Sequence, residues 1–329
     1  MAAVGTTATK RCGATTSAPP TIRTASAPSR SAVRSTTAPW LRTTDVGVRV
    51  CRFRSISHTG SFYFAPQIAI AVWRADADVI HAHNDHAFPL LFAAASVTDE
   101  QLVVTTHYHG ASANGVRNVL LSGYRPLGRY AVRRTNDLIS VSNWERERLE
   151  EDFGVEATVI PNGVDINRFA NAEAERRDRQ YLPCVGRLEK YKGVQHVIRA
   201  LSELPEYDLV IAGGGPYRNE LERIAREEYV SDRVDFLGYA EDERIPKLYS
   251  GAAVYLALSK FEAYGIIVVE ALSAGTPCVV REKGGLRNWT RRDGVIGVSD
   301  TSALELSNAV RSVVEQSPSE QIPTWGQCS

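Results

Sequence analysis

Across 329 residues the chain has no apolar run near the roughly 18 residues that a membrane-spanning helix requires. The nearest candidate, Ala65 to Trp73, is too short and is followed by Arg74, Asp76 and Asp78, so no segment is expected to cross a bilayer. Cysteine is sparse: Cys12, Cys51, Cys184, Cys278 and Cys328 are scattered, odd in number and never in a C-x-x-C pair. That spacing argues against a disulfide framework or a zinc knuckle and suits a reducing cytoplasm. Net charge is absent as well, with 38 basic and 38 acidic residues, so no global field would gather nucleic acid, and none is expected as a partner.

The missing charge hides an asymmetry. No acidic residue precedes Asp45, while residues 1–44 hold Lys10, Arg11, Arg23, Arg30, Arg34 and Arg42; the remainder carries 32 basic against 38 acidic residues, a net of −6. The leader is rich in Ala, Thr, Ser, Pro and Arg and lacks apolar periodicity, a composition that predicts disorder. A transit peptide shares that composition. So would an out-of-frame stretch of GC-rich coding DNA, given six lysines against 32 arginines. Disorder or artefact is the preferred reading of residues 1–44.

From about Val79 short apolar runs alternate with longer amphipathic ones, the pattern of a parallel sheet covered by helices. Strands are expected at 78–82, 102–106, 137–141 and 157–160, with helices at 128–134 and 144–153, the latter opened by Ser142 and Asn143 as capping residues. Pro161-Asn162-Gly163-Val164-Asp165 and the polar stretch 171–180 then read as an interdomain connection. A second series follows, with strands at 181–185, 209–212, 234–237, 254–256 and 277–280 and helices near 195–201, 217–226, 245–251 and 266–273. The expected division is a first α/β domain over 45–165 and a second over 166–329. In open α/β sheets ligands bind beyond the carboxyl ends of strands, so the residues there are the candidates.

After the strand ending at Val185 comes Gly186-Arg187-Leu188-Glu189-Lys190-Tyr191-Lys192-Gly193, which sets Arg187 and Lys192 on one loop that opens a helix. A guanidinium fork, an ammonium and free helix-end N–H groups together suit an anion. Ser259-Lys260-Phe261-Glu262-Ala263-Tyr264-Gly265 leads into the helix from Ile266, so Glu262 lies before it and Glu270 about 7.5 Å along it. The N–H groups of Tyr264, Gly265 and Ile266 would face phosphate while the two carboxylates accept hydroxyl hydrogen bonds. Two exposed glutamates on an amphipathic helix is the bland alternative, but Glu270 sits in an apolar run where an unpaired carboxylate is costly. Gly213-Gly214-Gly215-Pro216 lacks the G-x-G-x-x-G spacing and reads as a tight turn. Trp289 and the Lys283-Gly284-Gly285 loop read as packing and turn elements.

Five of the seven histidines, His81, His83, His86, His107 and His109, fall at or just after two strand ends. They could serve as hydrogen-bond donors to a sugar, as structural residues, or, through His-x-His-x-x-His, as metal ligands. No carboxylate-rich ligand set accompanies them, so no metal site is assigned.

GRLEKYKG, FEAYGIIVVEAL with its Glu-x7-Glu spacing, IPNGVD, IAGGGP and SAGTPCVV, in this order, resemble the family-four retaining glycosyltransferases (glycosyl transferases group 1), over roughly residues 76–297. The resemblance implies an α/β GT-B fold, two Rossmann-like parallel-sheet domains with a cleft between them. It implies a nucleoside-diphosphate sugar as donor, a sugar, glycan or lipid-linked acceptor, and no metal or other cofactor. Arg187 and Lys192 would hold the diphosphate with Gly186, Tyr264, Gly265 and Ile266 beside it. Glu262 would touch the donor sugar, Glu270 the ribose, main chain at Leu237, Gly238 and Tyr239 would border the base, and His83 would lie at the reacting centre. The family's first strand and Gly-rich loop have no recognisable counterpart in residues 1–60, so the amino-terminal domain is expected to be incomplete. The chain also stops soon after Pro323-Thr324-Trp325, where the family's final helix begins. A non-catalytic nucleotide-sugar-binding homologue, a sugar-nucleotide epimerase and a phosphorylase therefore stay open as alternatives. Peripheral membrane contact stays open for a lipid-linked acceptor, although no long basic amphipathic helix argues for it.

Overall fold

The computed structural model describes residues 40–45, 48–53, 64–83, 88–110 and 115–316. Its backbone divides into two units, one of residues 1–106 and 123–139, the other of residues 107–122 and 140–329. Among the described residues no helix is long and apolar enough to cross a membrane.

In the first unit β1 (Trp40–Asp45), which begins within the expected leader 1–44, pairs antiparallel with β2 (Val48–Phe53), Trp40 beside Phe53 and Asp45 beside Val48. Ala65 to Trp73, the short apolar run of the sequence, is largely the helix α1 (Gln67–Trp73), which buries Ile68 and Val72. Then come β3 (Val79–His83), α2 (Phe88–Ser96), β4 (Gln101–Thr105), α3 (Gly115–Arg133) and β5 (Asp137–Ser140). β3, β4 and β5 pair in parallel, Ile80 beside Leu102 and Val104 beside Leu138. The strands lie within a residue of their expected limits. The helix expected at 128–134 is much longer and runs through Pro126. A proline removes one i→i−4 bond and ordinarily marks a helix boundary in a sequence, and here the helix continues past it on both sides.

The second unit holds α4 (Asn143–Phe153), β6 (Thr158–Val159), α5 (Ile166–Ala170), β7 (Gln180–Val185), α6 (Val194–Ala200), β8 (Tyr207–Ala212), α7 (Arg218–Glu227), β9 (Val234–Gly238), α8 (Arg244–Ser250), β10 (Tyr255–Ala257), α9 (Ile266–Ser273), β11 (Cys278–Arg281), β12 (Val295–Val298) and α10 (Ala303–Gln316). The sequence pattern singles out neither β12 nor α10; the four-residue VIGV strand is too short to register by periodicity. β9-β8-β7 and β10-β11-β12 are parallel sheets. They meet along β7 and β10, where Ala253 N–H donates to Tyr181 O at 3.0 Å. Read in order of appearance the strands run 3-2-1-4-5-6, the doubly wound arrangement whose switch point lies between its first and fourth strands, here β7 and β10.

Both faces of this sheet are covered, which explains why its strands are continuously apolar rather than alternating. Leu209 and Ile211 of β8, Leu256 of β10 and Val279 of β11 face a core shared with Ile198, Leu221 and Val310. The intervening Tyr255, Ala257, Cys278 and Val280 face Val268, Leu272 and Tyr249 on the other side. Each fully buried leucine or isoleucine contributes about 1.5–3 kcal/mol of transfer free energy.

Three adjacent strands of this sheet end in a left-handed glycine: Gly186 after β7 (φ +124°), Gly213 after β8 (φ +148°) and Gly238 at the end of β9 (φ +70°). The turns touch backbone to backbone. Gly186 N–H donates to Ala212 O at 2.9 Å and Gly213 N–H to Gly238 O at 2.6 Å. A Cβ on Gly213 would lie 1.8 Å from Gly186 O, and one on Gly215 would lie 2.3 Å from Leu188 O. The glycine run after β8 is therefore the surface on which the Gly186–Leu188 loop rests. Gly213→Ala is expected to cost at least about 3 kcal/mol or to prevent folding. Gly214→Ala, whose Cβ would have nothing within 4 Å, should change stability by less than about 1 kcal/mol; urea midpoints of the two variants check this.

Candidate active site

Between the carboxyl ends of β7 and β10, a recess is lined by Gly186, Lys192, Ser259, Glu262, Gly265 and Ile267, among others. Four of these are expected site residues, brought together from two loops some 70 residues apart in sequence. The Lys190–Lys192 turn is closed by Gly193 at φ +83°, whose Cβ would lie 2.6 Å from Leu258 O. Lys260 N–H then donates to Tyr191 O at 2.8 Å, which fastens the two loops together.

Lys192 Nζ donates to Glu262 Oε2 at 3.0 Å, each side chain 23% exposed. Arg187 Nε stands 3.0 Å from Glu189 Oε1 with its side chain 71% exposed, outside the lining of the recess. Both expected cations thus hold carboxylates. An exposed pair such as Arg187–Glu189 is worth at most about 1 kcal/mol and is readily exchanged for a phosphate.

The loop before α9 is held by three consecutive carbonyls. Glu262 O accepts from Gly285 N–H at 2.7 Å, Ala263 O from the Ser142 hydroxyl at 2.6 Å and Tyr264 O from the Trp289 indole N–H at 2.6 Å. Trp289 also meets the Tyr264 ring edge-on at 5.3 Å between centroids. A Cβ on Gly285 would lie 2.1 Å from Ala263 O, so Gly284-Gly285 allows the close approach that the sequence reads only as a turn. Gly265, at φ +90°, begins α9 with no side-chain cap. The first N–H groups of the helix therefore meet no capping side chain at the edge of the recess. Ile266 is exposed.

Glu270 lies one turn further, away from the recess lining. Burial pushes its carboxyl up to about 7, opposed by a 3.5 Å hydrogen bond from Tyr249 OH and by Arg168. Burial likewise raises the Tyr249 phenol well above its usual range. Leu237 and Gly238, half-buried at the end of β9, lie outside the lining of the recess, and Gly238 O accepts the Gly213 N–H at 2.6 Å.

In the first unit, His83 is exposed at the end of β3, its ring 4.4 Å from that of His81. His81 Nε2 lies 2.9 Å from Thr105 Oγ1, and burial lowers its pKa. His86 lies outside the described residues. Among the described residues no group of three or more His, Cys, Asp or Glu side chains is placed to hold a metal ion. In the second unit His107 follows β4 with a left-handed backbone, φ +64°, uncommon for a residue with a Cβ.

Sequence reading misses Glu145, a carboxylate with 0% exposure. It accepts the Val141 N–H at 2.6 Å and, in a shorter bond, that of Tyr108. The spacing Ser142-x-x-Glu145 at a helix start was the available signal.

Comparison with known proteins matches the chain in two parts. The family model of the glycosyl transferases group 1 matches residues 165–323, and that of glycosyltransferase family 4 matches residues 23–168. Glycogen synthase of Mycobacterium tuberculosis is 33% identical over 261 residues, 76% of this chain and 62% of that protein. A GDP-mannose-dependent alpha-(1-6)-phosphatidylinositol monomannoside mannosyltransferase of Mycolicibacterium smegmatis is 34% identical over 213 residues, 56% of each chain. The chain thus spans about three fifths of the length of these relatives. Among solved structures, Anabaena HepE in complex with UDP and glucose superposes with a TM-score of 0.67 at 22% identity, over 78% of this chain and 73% of that one.

Glu270 has a folded pKa above its unfolded value, so the folded state keeps a proton that the unfolded chain releases as pH rises from 4.5 toward 7. Stability should fall across that window and level off above it. Glu270→Gln is expected to match the natural chain at pH 4 and to exceed it at pH 8 by at most about 3 kcal/mol, read from urea midpoints at the two pH values.

Proposed function

The chain belongs to the glycosyl transferases group 1 and has the GT-B fold, and from that premise we propose that it moves a sugar from a nucleoside-diphosphate sugar to a hydroxyl acceptor with retention of anomeric configuration. The single observation that carries this reading is the recess at the switch point, where Lys192, Glu262 and the uncapped start of α9 meet. UDP and UDP-glucose occupy the similar HepE structures, and the mannosyltransferase relative is named for GDP-mannose and a lipid-linked acceptor. That supports a nucleotide-sugar donor and leaves base, sugar and acceptor to experiment.

In the proposed reaction the donor diphosphate displaces Glu262 from Lys192 and Glu189 from Arg187. Both cations and the first-turn N–H groups of α9 then offset the charge that appears as the bond between the anomeric carbon and phosphate oxygen breaks. The acceptor oxygen attacks the same face of the sugar, and its proton passes to the departing phosphate oxygen. Freed from Lys192, Glu262 accepts hydrogen bonds from sugar hydroxyls, and Glu270 accepts them from the ribose. His83 is proposed to assist at the reacting centre, and main chain at Leu237 and Gly238 to border the base. These charges belong to the chain itself, so the reaction is proposed to need neither a resident metal nor another cofactor.

The test is calorimetric titration of UDP-, GDP- and ADP-sugars against the natural chain and an Arg187→Ala/Lys192→Ala variant, followed by assays of transfer. One donor is expected to bind and to lose at least about tenfold in affinity in the variant, since each charge-assisted hydrogen bond is worth about 1.5–3 kcal/mol. Binding without transfer would favour a non-catalytic homologue; conversion without acceptor would indicate an epimerase, and a requirement for inorganic phosphate a phosphorylase. A folded chain that binds none of the donors would overturn the diphosphate site.

A further inference from the structure

The first turn of α4 touches two functional loops at once. Its N-cap, Ser142, is buried; the hydroxyl accepts the Glu145 N–H at 3.1 Å and donates to Ala263 O at 2.6 Å, 121 residues away. A hydroxyl has one proton and two acceptor sites, so both bonds can form together. Glu145, at the third helical position, would in a capping box turn back to the N–H of Ser142 itself. Instead its two oxygens reach outward, Oε2 to Val141 N–H and Oε1 to Tyr108 N–H, 37 residues away.

Each distant partner belongs to a loop that follows a strand end. Tyr108 comes directly after His107, whose left-handed backbone persists only if its surroundings over-determine it. The far side of the same loop is pinned as well, Tyr108 OH donating to Asp152 Oδ2 at 2.8 Å and the Tyr108 ring meeting Phe153 edge-on. Ala263 lies between Glu262, which faces the recess, and the Gly265 start of α9. The Glu145 N–H to Ser142 bond joins the two contacts, so release of one partner changes the donor or acceptor that orients the other. A fully buried carboxylate is costly to keep for a cap that Ser142 alone supplies.

We infer that Ser142 and Glu145 form a two-armed clamp that fixes the histidine loop 107–110 relative to the Glu262–Gly265 loop, making both positioning residues for the transfer step. In kinetic terms the inference rests on the proposed function; in structural terms it stands apart from it. Because the nucleotide diphosphate is proposed to be held by Arg187 and Lys192 as well as by α9, the clamp governs the geometry of reacting groups more than nucleotide affinity. A 1 Å misplacement of such groups lowers a rate by about a hundredfold.

Two arms test it, using the full chain and the variants Glu145→Gln, Ser142→Ala and Ser142→Thr. In amide hydrogen exchange, Glu145→Gln should speed exchange about tenfold or more not only at Tyr108 but also at Val268 and Gly285, whose N–H groups donate to Gly265 O and Glu262 O. Ser142→Ala should do the same in reverse, reaching Tyr108. Exchange that changes in one loop alone, or in neither, overturns the clamp, and if Glu145→Gln does not fold, Ser142→Ala still decides. In kinetics, both variants should lose at least about tenfold more in kcat than in affinity for UDP, GDP and ADP, and Ser142→Thr, which keeps the hydroxyl, should restore the rate. Equal losses in kcat and nucleotide affinity would overturn the positioning role. Absence of transfer by the natural chain would count against the proposed function, and the exchange result would still decide the clamp.

Discussion

Three consecutive carbonyls, those of Glu262, Ala263 and Tyr264, accept hydrogen bonds from three different places in the chain: the Gly285 N–H, the Ser142 hydroxyl and the Trp289 indole. A loop of this kind ordinarily carries its polar backbone at the surface and moves accordingly. Here Glu262, Ala263 and Tyr264 are each tied through the main-chain carbonyl, and close approach depends on glycines at 265, 284 and 285 that leave no room for a Cβ. The position of Glu262, the angle at which α9 starts and the spacing to Lys192 all follow from those bonds. Without them Glu262 would be a mobile surface carboxylate, and the recess would lose one wall.

The opposite wall is built by a different device with the same outcome. Gly186, Gly213 and Gly238 let three neighbouring strands end in turns that contact one another through backbone alone. Rigidity at this edge comes from steric exclusion as much as from hydrogen bonding, because a Cβ at 213 or 215 would overlap a carbonyl. The doubly wound strand order then leaves a crevice beyond the carboxyl ends of β7 and β10, and both loops open into it. Site and topology share one cause: helices cover opposite faces of the sheet on either side of the switch point.

Inside this frame the two cations already hold carboxylates. Lys192 and Glu262 neutralise each other at 3.0 Å while half-buried, and Arg187 rests on Glu189 in solvent. In the proposed reaction an arriving diphosphate would replace carboxylates that are partly desolvated or loosely held, so little would be lost when the pairs part. Glu270 is the exception. Burial beside Tyr249 raises its pKa to about 7, a standing cost that a hydroxyl donor on a ligand would relieve.

Much of this was legible from the residues alone. Strand ends at 185 and 212, those at 238 and 257 to within a residue, the helix at 266–273, and the Lys192, Glu262 and Gly265 constellation follow from apolar runs, glycines and loop charges, because these signals are local. The short β12, the full length of α3 through Pro126, and α10 escaped, since a four-residue strand has no period to detect and a proline reads as a boundary. The sequence by itself determined which residues carry charge, which positions require glycine, and the alternation of strands and helices that produces an open parallel sheet. Only the tertiary structure decided that Ser142 and Glu145 reach loops 121 and 37 residues away, that Trp289 and Gly285 bind the Glu262 loop, and that Arg187 stands outside the recess while Lys192 lines it. Those outcomes depend on side chains and carbonyls brought together by packing, and no spacing in the chain encodes that proximity.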